Sequence, residues 1–180
     1  MKLAMIVGAA ILGIVMIFGV MVISSKNSAI SLEESVNTAQ SGIDVQLSNR
    51  FNKLTELAEC VKQYDAHEYK ALVDVITARG KQMSGAQTKE CIAAFSRVEE
   101  RYPELKSQAN YKQLMTEISL TENHLAQHKK AYNEQVRDYK RHCRSFPASL
   151  WLSIAGYEVQ PYTYYEADDS VKDNKPMKLF

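Results

Sequence analysis

The sequence predicts an all-α protein: an N-terminal transmembrane helix followed by an antiparallel up-down helical bundle. Three observations lead there. A run of 21 residues, Leu3–Ile23, carries no charged or strongly polar side chain. Beyond it, apolar residues recur at three- and four-residue steps, the period of a helix with one buried face. Glycine and proline are sparse, 7 and 4 in 180 residues, too few for the turns of a β-sandwich.

Wound as a helix, Leu3–Ile23 rises about 31 Å, the thickness of a hydrocarbon core. A cleaved secretory signal has an apolar region of only about 7–15 residues, and the following SSKNSAIS offers no A-x-A-like cleavage pattern. Residues 1–26 are therefore read as an uncleaved anchor, in contact with the lipid bilayer through residues 3–23. Lys2 and Lys26 stand on opposite sides of the run, so close-range positive charge does not orient it. Cys60, Cys91 and Cys143 form an odd set without paired spacing, which suits a reducing compartment. The expectation is a single-pass protein of the cell membrane with its bundle on the cytoplasmic side.

Residues 27–147 supply the bundle. One stripe runs Leu32, Val36, Ala39, Ile43, Leu47, Phe51, Leu54, Ala58 and Val61. A second runs Tyr111, Leu114, Ile118, Leu125, Tyr132, Val136, Tyr139, Cys143 and Phe146, with Thr121 and His128 as polar interruptions. The four-residue step from Tyr132 to Val136 is a stutter, which argues against a strict heptad coiled coil. Capping boxes are expected at Ser31 with Glu34, Asp65 with Glu68, Ser84 with Gln87, and Asn110 with Gln113. Stops fall at Gly80, Pro103 and Pro147. Helices near 32–64, 66–79, 85–101 and 111–146 result. Two glycines and a cap within Gly80–Gly85 favour a reversal and hence four helices; the alternative is a three-helix rod with a broken middle helix. Residues 148–180 read as an apolar and aromatic extension, ASLWLSIA then QPYTYYEA, ending in a polar, disordered tail.

Little in the chain points to catalysis. His124 and His128 have the spacing of a two-histidine metal face, but a zinc-protease motif needs Glu directly after the first, and Leu125 stands there. No third ligand occurs at typical spacing. His142 and Cys143 are consecutive in a helix and point about 100° apart, so they do not form a nucleophile–base pair. There is no phosphate-cradling loop and no nucleophile elbow. No metal, cofactor or catalytic residue is expected. A net charge of +1 gives no field for nucleic acid.

Two polar groupings are the candidate sites. Gln46 and Arg50 share a helix face beside Ile43, Leu47 and Phe51, with Asp44 nearby, while Glu122 and Asn123 sit midway along the last long helix. They are read either as the solvated flanks of a core or, as the sharper expectation, as an interhelical polar network that fixes register, because a buried charge requires a partner. Arg137, Lys140, Arg141 and Arg144 crowd the end of that same helix, just before Trp151. Cations there complement the helix dipole. In a four-helix arrangement that end also returns towards the anchor, placing these residues and Trp151 beside the membrane surface.

Ordered strings along the chain carry a family resemblance: SGIDVQLSNRFNKL at 41–54, VKQYDAHE at 61–68, VITAR at 75–79, YPELK at 102–106, TEN at 121–123, AYNEQVRDY at 131–139 and SFPASL at 145–150. From Ser31 to Ala167 the chain resembles the LemA family. It departs at Thr55-Glu56, where relatives typically carry Ile-Pro, and at His124, where Arg commonly follows the Glu-Asn pair. The resemblance implies a short N-terminal tail, one transmembrane helix and an antiparallel helical bundle, with no catalytic activity to transfer. The expected function is a non-catalytic scaffold or interaction module that meets an unidentified membrane or membrane-proximal protein. The alternatives are a ligand-binding sensor or regulator and, less favoured, a hydrolase with an unrecognised site.

Overall fold

The computed structural model describes residues 2–166, and all regular structure among them is helical. The described residues form six helices: α1 (Lys2–Val61), α2 (Ala66–Arg79), α3 (Gly85–Arg101), α4 (Pro103–Ser107), α5 (Ala109–Arg144) and α6 (Ala148–Ile154). The sequence-derived tail from residue 167 onward lies outside the described residues.

The largest departure from expectation is α1. The apolar run and the first amphipathic helix are one uninterrupted 60-residue helix, so Ser31 is an interior residue and not a cap. The reason is local: no glycine or proline stands between Val20 and Ser41, and nothing breaks the backbone ladder. The serines around the expected boundary bond within the helix instead, as Ser35 does to the Ser31 carbonyl at 2.9 Å.

The other boundaries have identifiable chemistry. Asp65 caps α2 by accepting from the amides of His67 and Glu68 at 2.8 and 3.1 Å. Gly80 ends that helix at φ +64°, a conformation suited to glycine. Ser84 and Gln87 form a reciprocal capping box at the start of α3, with distances of 3.2 and 2.9 Å. Pro103 closes α3 as expected but also opens α4, since a proline is tolerated at a first helical position. The predicted cap at Asn110 is not used; α5 starts at Ala109, and the Asn110 amide lies 3.6 Å from the Cys60 sulfur. Helix α5 stops at Arg144, two residues short of Phe146. That residue is therefore off the helix and 82% exposed, not the last member of the buried stripe.

The described chain divides into two compact units. The first comprises residues up to Gln40 with Ala131–Tyr164; the second comprises Ser41–Lys130 with Tyr165 and Glu166. In the second, α2 and α3 lie side by side and antiparallel: Arg79 at the end of α2 pairs with Glu90 early in α3 (2.8 Å), while Arg101 at the end of α3 pairs with Glu68 early in α2. Leu57, Ile76, Phe95, Leu105 and Ile118 bring all five helices of this unit into one buried core. In the first unit the segment 148–164 packs back onto α1 and α5. Tyr157 donates to Glu33 at 2.5 Å, Tyr162 donates to Asn37 at 2.8 Å, and the Gln160 amide donates to the buried Tyr139 hydroxyl at 2.8 Å. The aromatic extension is thus a structured strap, which its composition did not disclose.

Candidate functional site

In the second unit the apolar stripe of α1 is interrupted by a charge. Arg50 has only 1% of its side chain exposed, and its Nη1 donates to Glu122 Oε1 on α5 at 3.0 Å. Its Nη2 donates to the Met83 backbone carbonyl in the α2–α3 connection. One guanidinium fork therefore ties α1, α5 and the reversal together, a geometry its planar, multi-donor head can meet and an ammonium cannot. Glu122 is 32% exposed, so one end of the pair reaches water.

The other members of the expected network are placed differently. Asp44 is exposed on α1 and Asn123 is exposed on α5, while Gln46 is half-buried. The exposed pair keeps its hydration and does not add to the desolvated contact. Two contacts of the same unit were not anticipated. Lys53 pairs with Glu117, whose carboxyl is held below the usual carboxylate range by that ammonium and by Gln113. Met83 O is a backbone acceptor, and no side-chain pattern announces it.

His124 is exposed and His128 half-buried, and among the described residues no group of three or more His, Cys, Asp or Glu side chains is arranged to hold an ion. His128 instead packs on Gly42 of α1, where an added Cβ would lie 2.8 Å from its Nδ1. His142 is engaged by donating from Nε2 to the Ser25 carbonyl at 3.0 Å. Burial pushes the Cys60, Cys91 and Cys143 thiols up, which opposes thiolate formation.

In the first unit, Arg137, Lys140, Arg141 and Arg144 line a cleft of about 430 Å³ together with Ser145 and Tyr164. Lys140 lies 4.4 Å above the centre of the Tyr164 ring. Asp138 is shared, at 3.1 Å from Arg137 and 3.9 Å from Arg141. Trp151, expected beside this cluster, sits on α6 with its ring edge-on to Phe18 of α1, centroids 5.3 Å apart.

The sequence profile of the LemA family matches residues 39–179. The chain belongs to the LemA family. Comparison with curated proteins gives no match. The LemA match spans the Arg50–Glu122 pair, the α2–α3 reversal, the basic cleft and α6, and begins after the apolar part of α1.

Proposed function

We propose that this LemA-family chain is a single-pass membrane protein whose helical domain is a non-catalytic scaffold or interaction module at the cell membrane, on the cytoplasmic side. The observation that carries the reading is the contrast along α1. From Leu3 to Ile23 its large apolar side chains are exposed around the helix, with only Val22 half-buried. From Ser25 onward one face is buried in steps: Ser25, Ala29, Val36 and Ile43. A helix apolar all round requires an apolar solvent, whereas an amphipathic one packs against protein.

The packing we propose for the helical part is the four-helix one, with α1, α2, α3 and α5 as its members. It is supported by the reversal between Gly80 and Gly85 and by ion pairs at both ends of α2 and α3. In-cell cross-linking of the full chain, followed by mass spectrometry, tests the function. The expected result is a discrete, reproducible set of membrane or membrane-adjacent proteins. Recovery of the chain without a partner, or turnover of a substrate by the purified protein, contradicts it.

A further inference from the structure

The first unit brings the end of α5 and the short helix α6 against the end of the apolar run of α1. His142 bonds the Ser25 carbonyl, the Ser25 hydroxyl lies 3.5 Å from the Ala148 carbonyl, and Trp151 meets Phe18. Depth follows from these contacts if Leu3–Ile23 crosses the bilayer. Ser25 is two residues past Ile23, about 3 Å along the axis, so His142 lies just outside the hydrocarbon. Arg141 and Arg144 flank it within about 3 Å, and Arg137 lies about 7–8 Å further out. The polar layer on each side of a bilayer is about 5–8 Å thick, so Lys140, Arg141 and Arg144 fall at headgroup depth, and Arg137 lies just beyond it with the layer within reach of its long side chain.

The chain from Phe146 through α6 continues towards the apolar run, and its outward residues suit lipid. Phe146, Leu150 and Ile154 are 82%, 46% and 62% exposed, while Leu152 is buried inwards. Exposed large apolar side chains on a short helix, beside a cationic cleft and a tryptophan, combine the features of an interfacial segment. Two carboxylates, Asp138 and Glu134, act on Arg137, and Asp138 is held below the usual carboxylate range, first by its bond to Arg137.

We propose that Arg137, Lys140, Arg141 and Arg144, with Tyr164, bind the phosphate of an anionic phospholipid, while Phe146, Leu150 and Ile154 of the α6 region insert at the headgroup–acyl boundary of the same leaflet. The proposal rests on the membrane-anchor reading and names what that anchor's surroundings recognise. The source is lipid phosphate and not free phosphate, because the exposed apolar residues adjoin the cleft on its hydrocarbon side, where the acyl chains of a bound lipid would lie.

The test reconstitutes the full chain in nanodiscs of phosphatidylcholine mixed with phosphatidylglycerol and counts co-purifying lipids by native mass spectrometry. Phosphatidylglycerol is expected to be retained in preference. Arg141→Gln and Arg144→Gln, both at exposed positions, are expected to lower that preference about fivefold each. The chain's only tryptophan, Trp151, reports α6 directly: lipids brominated near the carbonyl end of their chains are expected to quench it. A chain that resists alkaline extraction yet retains both lipids equally overturns the headgroup site and leaves the anchor standing. Displacement of the retained lipid by inorganic phosphate overturns the lipid assignment, and an unquenched Trp151 overturns the placement of α6. A chain that alkaline treatment extracts overturns the anchor as well.

Discussion

Arg50 is a buried cation with two acceptors, and its energetics follow from what each partner does when it is removed. Truncation to Ala strands the Met83 carbonyl and leaves a cavity, whereas Glu122, one-third exposed, turns to water. Arg50→Ala is expected to destabilise the fold by about 2–4 kcal/mol and Glu122→Ala by about 1–3 kcal/mol. Asp44→Ala, at an exposed position, should change stability by no more than about 0.5 kcal/mol. Denaturant unfolding of the full chain in detergent measures all three; equal, small effects would mean that the pair is a solvated flank.

Gly42 shows how a helix-interior glycine is retained. Alanine there normally gains about 1 kcal/mol in helix propensity. Here the new Cβ would press on the His128 ring at 2.8 Å, so Gly42→Ala alone is expected to gain little or to destabilise. In a His128→Ala background the same change should recover the full gain of about 1 kcal/mol. Additive effects in that double-mutant cycle would contradict the contact.

At the scale of elements, acid sensitivity belongs to the caps and cross-helix pairs. The Asp65 carboxyl is held low by the Glu68 amide first, then by the Tyr102 hydroxyl and the His67 amide; Lys53 does the same for Glu117. A carboxyl depressed in the folded state contributes stability that is complete above its unfolded value and is lost as pH falls through the folded one. Stability should therefore decline once pH drops below the ordinary carboxylate range. Asp65→Asn should be less stable at neutral pH and show a shallower acid decline; thermal unfolding from pH 7 to pH 3 checks this.

These elements also show how far the sequence could be read. Asp65, Gly80 and Ser84 were legible because each acts through backbone groups within three or four residues of itself. The continuity of α1 was not, because SSKNSAIS contains residues that cap helices in one context and continue them in another. The buried charge could be placed on the correct face, since Arg50 shares the stripe with Leu47 and Leu54. Its Met83 partner could not, because a backbone carbonyl leaves no trace in composition. Nor could the strap at Tyr157–Tyr162, whose contacts with Glu33, Asn37 and Tyr139 join positions far apart in the chain.

For the protein in its cell, the surroundings of α1 decide where the helical domain works. Sidedness is read from a cysteine introduced at Gln127, an exposed position, in a chain with Cys60→Ser; Cys91 and Cys143 are buried. A cytoplasmic domain predicts no modification by an impermeant thiol reagent in intact cells and full modification after lysis. Labelling in intact cells would contradict that side.

In the proposed function Leu3–Ile23 stays on the chain and crosses the bilayer. Alkaline washing of membranes from cells making the full chain, followed by intact-mass measurement of what remains bound, tests it most directly. The expected result is a membrane-retained chain of 20.4 kDa. A chain released by the wash, or one shortened by loss of its apolar N-terminal segment, would contradict it.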